Sequence, residues 1–116
     1  MKSLRILLTG GSSGIGAATA KVLTEAGHRV SVLARNTESL ERVASACPSD
    51  RIRYEKVDVT DEEAVKKTVQ AAIDEWGGID VCIPNAGLGI FAPLKDASLS
   101  DWKTMVDVNI GGVLNT

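Results

Sequence analysis

Aromatic side chains are scarce in this 116-residue chain: two Trp, one Tyr and one Phe, or 3% of the sequence. So few rings leave little for single-stranded nucleic acid to stack on. Charge points the same way. Thirteen Lys+Arg against fifteen Asp+Glu give a formal net charge of -2, with no basic excess to hold nucleic acid or an anionic membrane. Histidine occurs once and cysteine twice. Cys47, Cys82 and His28 cannot assemble a four-ligand zinc site, and the widely spaced cysteines read as reduced thiols of a cytoplasmic protein. No apolar run approaches the twenty residues of a membrane span. The start, Met1 to Leu8, has a short apolar run broken by Arg5 and leads into glycines rather than a cleavage site, so it does not read as a targeting peptide.

What is present is a regular alternation of strand and helix signals. Leu4–Leu8 is short, apolar and bounded by turn residues, which reads as a buried strand; Val30–Ala34, Ile52–Val59 (apolar at its end) and Ile79–Pro84 read as three more strands. Between them, Ile15, Ala18, Val22 and Ala26 recur at helical spacing up to Gly27. A second helix over 37–46 presents Leu40, Val43 and Ala44. A third is capped by Asp61, carries Val65, Val69, Ala72, Ile73 and Trp76 on one face, and ends at Gly77-Gly78. The fourth begins near Ser98 or Ser100, with Leu99, Trp102, Val106 and Val113 on its apolar side. Strands joined by helical crossovers pair in parallel and are covered on both faces. Right-handed crossovers put the first two helices on one face. A reversal after the third strand then gives the order 3-2-1-4 and sends the third helix to the other face. The expected fold is α/β: a Rossmann-like, doubly wound parallel sheet with four strands and four helices, in one domain over residues 1–116. No linker, repeat or low-complexity tract interrupts it.

The segment Thr9-Gly10-Gly11-Ser12-Ser13-Gly14-Ile15-Gly16 lies between the first strand and the first helix. A phosphate there would meet unpaired backbone N–H groups and the positive end of the helix dipole. Glycine suits such a loop because it tolerates unusual dihedrals and lets the backbone approach both ligand and sheet. The spacing, Gly-x-x-x-Gly-x-Gly after a strand, resembles that of the short-chain dehydrogenase/reductase family. Asp58-Val59-Thr60-Asp61 after the third strand, Asn85-Ala86-Gly87 after the fourth, and Asn109 within Val108-Asn109-Ile110-Gly111 extend the resemblance over the whole chain. Pro84 stands where the family usually has asparagine.

Asp58 ends up at the carboxyl end of a strand, where open α/β sheets bind ligands, and can accept from an adenine amino group. The alternative is an Asx-type cap on the turn into the next helix, a job Asp61 can do alone. Asn85 reads either as a cofactor contact or as a tie between strands, and the resemblance implies both. It also implies cofactor contacts from Thr9, Gly10, Ser12, Ser13, Gly14, Ile15, Gly16, Val59, Ala86 and Gly87, and a proton-relay role for Asn109.

Dinucleotide folds that prefer NAD carry Asp or Glu about twenty residues beyond the glycines. Here the second strand ends in Leu33-Ala34-Arg35-Asn36. Arg35 at that place favours NADP(H) over NAD(H), because a guanidinium can grip a 2′-phosphate bidentately.

The resemblance implies hydride transfer between a nicotinamide cofactor and a carbonyl or alcohol, but the family's Tyr-x-x-x-Lys pair and upstream serine have no counterpart. Tyr54 is the only tyrosine, and Asp58, not lysine, stands four residues on. The expectation is a cofactor-binding N-terminal portion, inactive alone. The alternative is a non-catalytic nucleotide-binding or interaction module. In either case Val81-Cys82-Ile83 forms an apolar sheet edge and the last helix exposes an apolar face, which favours a homo-oligomer. His28 reads as a solvated turn residue, and the acidic residues of the third and fourth helices as solvent faces.

Overall fold

A computed structural model describes residues 2–12, 14–87, 96 and 98–116. Its elements follow in the order β1 (Arg5–Thr9), α1 (Gly14–Glu25), β2 (Arg29–Ala34), α2 (Thr37–Ser45), β3 (Ile52–Lys56), α3 (Glu62–Trp76), β4 (Val81–Pro84) and α4 (Leu99–Val106). Helix α4 continues through a π-helical turn, Asp107–Gly111, into α5, Gly112–Asn115. Val106, Asp107, Gly111 and Gly112 all keep right-handed helical dihedrals, so the last three segments make one helical rod. The sheet order is β3-β2-β1-β4, and every pairing is parallel.

Side-chain alternation along the strands splits the core into two layers. Ile6 and Leu8 of β1 join Val30, Val32 and Ala34 of β2 beneath Ala20 of α1 and Leu40 of α2. Leu7 and Leu33 point the other way and pack with Val57 and with Val65 of α3. Thus α1 and α2 share one face and α3 covers the other. This is the arrangement expected from right-handed crossovers with a reversal after β3.

Local chemistry fixes where the helices begin and end. Asn36 accepts from the Ser39 amide, Asp61 from Ala64 and Ser98 from Asp101, which satisfies one otherwise orphaned N–H at each start. Gly77, in a left-handed conformation, closes α3.

Three sequence readings need correction. The apolar stripe of α1 does not face the sheet: Ile15 and Val22 are 79% and 64% exposed, and Ala18 and Ala26 are exposed as well. The face that packs is Gly16, Ala20 and Thr24. Spaced four apart, these small residues let the helix lie close to the strands. Thr24 carries its hydroxyl into the core by donating it to the Ala20 carbonyl at 2.9 Å. His28 is buried rather than solvated. Its Nδ1 accepts from the Leu4 amide at 3.1 Å, supplying a partner where β1 begins. The strands β3 and β4 are also shorter than the apolar runs suggested, although Val57 still donates to the Ala34 carbonyl at 2.8 Å beyond the end of β3.

The apolar side of the last helix is open, as expected. Leu99, Trp102, Val106 and Val113 are all at least 40% exposed, while Val108 is the side chain that packs inward. Gly111-Gly112 does not interrupt the rod. A side chain at Gly112 would collide with Val59, so glycine there lets the helix pass close to the loop after β3. Among the described residues no helix is long and apolar enough to cross a membrane.

Candidate functional site

All four parallel strands end at the same side of the sheet. Chain order reverses between β1 and β4, the place where open α/β sheets form a ligand crevice. A cleft of about 360 Å³ lies there, within the range of roughly 300–1,000 Å³ common for small-molecule sites. From the sequence-derived candidates it brings together Gly10, Ser12, Arg35, Asp58, Val59, Asn85, Ala86 and Gly87.

The floor is a hydrogen-bonded latch between the segments after β1 and β4. Thr9 is buried, and its Oγ1 accepts from the Ala86 amide at 3.1 Å. Gly10 donates its N–H to the Leu33 carbonyl at 2.8 Å, while its own carbonyl accepts from Asn85 Nδ2 at 3.2 Å. Asn85 therefore ties two strand ends together, one of the two roles left open by its position. Gly10 has φ +69°, and a Cβ there would lie 2.8 Å from the Ala86 Cα. A Cβ on Gly16 would strike the Gly10 carbonyl and come within 2.8 Å of Asn85 Nδ2. Each glycine thus permits a specific close approach.

Gly14, with φ +55°, opens α1, and a Cβ there would meet nothing within 4 Å. Gly14, Ile15 and Gly16 form the first turn of α1 rather than the cleft wall, and Ile15 is exposed. Ser13 lies outside the described residues.

The adjacent ends of β2 and β3 carry opposite charge, Arg35 and Asp58. Arg35 follows β2 directly and is exposed, while its neighbour Asn36 spends its side-chain oxygen capping α2 at 3.0 Å. Asp58, after β3, accepts at Oδ1 from both the Thr60 amide, 2.9 Å, and the Thr60 hydroxyl, 2.7 Å. These donors, the amide first, hold the Asp58 carboxyl below its ordinary pKa. The charge of Arg35 acts in the same sense, and partial burial opposes it. The helix cap itself belongs to Asp61. Asp58 makes a turn of its own two residues long, so that alternative for Asp58 is realised in the structure.

Asn109 stands in the π-helical turn and does not line the cleft; its Oδ1 lies 3.3 Å from where a Gly87 Cβ would be. Its neighbour Val108 does line the cleft, together with Leu33, Ala34, Asn36 and Val57. The sequence reading missed these five. For all but Val108, position at the carboxyl end of a strand was the available signal. Tyr54, on β3 opposite Val32 of β2, is not among the lining residues. Among the described residues no group of His, Cys, Asp or Glu could hold a metal ion.

An open parallel sheet in the order 3-2-1-4, with a glycine turn after β1 and a crevice at the reversal, defines a Rossmann-like α/β protein. Residues 5–116 match the short chain dehydrogenase family. An uncharacterized oxidoreductase of Listeria monocytogenes is 40% identical over 117 residues, covering 99% of this chain and 47% of that protein. Another from Staphylococcus aureus is 37% identical, covering 95% and 48%. Among solved structures, a short chain dehydrogenase from Bacillus anthracis superposes with a TM-score of 0.92 at 26% identity, covering 97% of this chain and 47% of that one. An alcohol dehydrogenase from the archaeon Thermococcus sibiricus, complexed with 5-hydroxy-NADP, gives 0.90 at 31% identity, with coverage of 99% and 50%. The chain belongs to the short-chain dehydrogenase family of oxidoreductases, and it spans about half the length of these relatives.

Proposed function

We propose that this chain is the cofactor-binding portion of an NADP(H)-dependent oxidoreductase, a single Rossmann domain over residues 1–116 of a protein acting on a small carbonyl or alcohol in the cytoplasm. The observation that carries the reading is Arg35 on the wall of the crevice, beside the end of β2 and with no carboxylate in the Leu33–Asn36 segment. The residues present fit the adenosine-phosphate half of such a cofactor. Gly10 and Ser12 supply a close backbone and a hydroxyl, Arg35 a cation for a 2′-phosphate, and Asp58 an acceptor for an amino group. Val59, Ala86 and Gly87 add apolar wall and backbone, with Thr9, Gly14, Ile15 and Gly16 shaping the turn from behind. The bound dinucleotide would supply hydride exchange with a carbonyl. Asn109 then stands at the family's proton-relay position, with Gly87 between it and the cleft.

A guanidinium-phosphate contact contributes about 1.5–3 kcal/mol, or roughly ten- to a hundredfold in affinity. Calorimetric titration of NADPH and NADH checks this. Wild type is expected to bind NADPH tighter by that factor, and Arg35→Asp to lose the difference. Equal wild-type affinities would overturn the NADP(H) assignment.

The chain has no Tyr-x-x-x-Lys pair, and a proton donor beside the developing alkoxide is what carbonyl reduction requires. The purified chain should therefore leave NADPH unconsumed with a panel of ketones. Turnover above background would refute that. A second reading, a self-associating nucleotide-binding module, draws on the exposed apolar side of α4 and α5.

A further inference from the structure

We propose that Asn115 is a positioning residue for the cleft: it reaches from the last helix to the loop after β3 and holds the peptide that orients Asp58. The proposal rests on the dinucleotide reading and adds to it a residue that lies outside the cleft.

Asp58 to Asp61 form a tight turn, closed by the Asp61 amide donating to the Asp58 carbonyl at 3.0 Å. Its central peptide joins Val59 to Thr60, and both polar ends of that one plane are engaged. The Thr60 N–H donates to Asp58 Oδ1 at 2.9 Å. At the other end the Val59 carbonyl accepts from Asn115 Nδ2 at 2.9 Å, across 56 residues of sequence. A peptide group is rigid and planar, so a bond that fixes its carbonyl also aims its N–H. Asn115 thereby acts on Asp58, which belongs to the cleft wall, although Asn115 is not itself a lining residue.

Gly112, three residues earlier on the rod, makes the approach possible, because a Cβ there would collide with the Val59 side chain. Closure of the helix does not account for the contact. The Thr116 hydroxyl and amide both donate to the Gly112 carbonyl, at 2.8 and 3.2 Å, so the end of the rod has its own bonds and the Asn115 amide is spent on the loop. A complete flip of the Val59–Thr60 peptide would put Thr60 in a left-handed conformation, which β-branched residues resist. What Asn115 governs is the tilt of the plane. The Thr60 hydroxyl, 2.7 Å from the same Asp58 oxygen, stays in place without the tether, so the effect is graded rather than all-or-none.

The test uses the 116-residue chain with Asn115→Leu, which removes the donor at similar size, and Asn115→Gln, which keeps the amide on a longer arm. Amide hydrogen exchange followed by NMR should show Thr60 exchanging severalfold faster in Asn115→Leu, with the amides of β1 and β2 changing less. A merely structural loss would speed all of them together. Calorimetric titration should show NADPH affinity reduced about two- to tenfold, the worth of one hydrogen bond. Asn115→Gln should recover part of both losses. On an Asp58→Asn background, Asn115→Leu should weaken NADPH much less, because the tether works through the carboxylate. Thr60 exchange and NADPH affinity both unchanged in Asn115→Leu would overturn the proposal. So would an equal affinity loss on the Asp58→Asn background, which would set Asn115 to work elsewhere. A wild type that binds no NADPH would overturn the dinucleotide reading alone, since Thr60 exchange still reports the tether.

Discussion

Gly10 and Gly14 both hold left-handed backbone, with φ +69° and +55°, yet they face different surroundings. Alanine at Gly14 meets open space and carries only the conformational cost, about 1–2 kcal/mol. Alanine at Gly10 adds a Cβ 2.8 Å from the Ala86 Cα and 3.1 Å from the Asn85 carbonyl carbon, all backbone that cannot swing aside. Overpacking of that kind costs a further 1–3 kcal/mol or so. Urea unfolding should therefore show Gly10→Ala clearly less stable than Gly14→Ala; equal midpoints would mean the latch between the β1 and β4 ends yields easily. The glycine pattern was legible in the sequence, but this inequality was not, because it depends on which chain segment lies opposite each position. His28 teaches the same lesson. A histidine after a glycine reads as a solvated turn until the fold brings the Leu4 amide to its Nδ1 from 24 residues away. Asp58 was readable as a site residue from its place after a strand, whereas the two hydrogen bonds it accepts from Thr60 depend on the local turn of the chain.

At the scale of elements, α1 shows where periodicity misleads. Counting large apolar residues selects Ile15 and Val22, but close packing on a sheet selects small ones, and Gly16, Ala20 and Thr24 form the buried face. Val22→Lys should change stability by less than about 0.5 kcal/mol, as exposed substitutions do. Ala20→Leu, at a fully buried site, should cost about 1–3 kcal/mol from overpacking. Thermal unfolding of the two variants decides between the faces, and the reverse order would restore the reading from periodicity.

The pairing of β1 with β4 has its own clamp away from the cleft. The Arg5 amide and Nε both donate to Asp80 Oδ2, at 2.8 and 2.9 Å, and the Arg5 guanidinium reaches Oδ1 at 2.8 Å. Those donors, the side chain first, hold Asp80 far below the ordinary carboxylate range. A depressed folded-state pKa gives stability that is complete above the unfolded value of 3.8 and fades as pH falls below it toward the folded value. Wild type should thus lose stability on acidification below about pH 4. Asp80→Asn should start less stable at neutral pH and show a shallower acid slope, with Asp58 supplying part of what remains. Identical slopes from urea unfolding across pH would remove the clamp from the account of acid stability.

On the scale of the whole molecule, the topology was the most legible feature. Four apolar runs separated by helical patterns allow few arrangements once crossovers are parallel and right-handed, and the order β3-β2-β1-β4 follows. The sheet leaves β4 at one edge, with Ile83 only partly buried and Cys82 exposed. Leu99, Trp102, Val106, Ile110 and Val113 are exposed at steps of three and four along the last helical rod, with Leu114 exposed next to Val113, an apolar stripe by helical geometry. Their combined apolar surface, at about 25 cal/mol per Å² removed from water, is a strong drive toward self-association. The expected outcome is a concentration-dependent dimer in analytical ultracentrifugation. Trp102→Glu with Ile110→Lys places opposite charges on that stripe while touching neither the cleft nor the buried Val108, so it should shift the chain to monomer and leave NADPH affinity unchanged. A dimer that survives both substitutions would move the contact to the open edge of β4, where a charge at Cys82 becomes the substitution that breaks it.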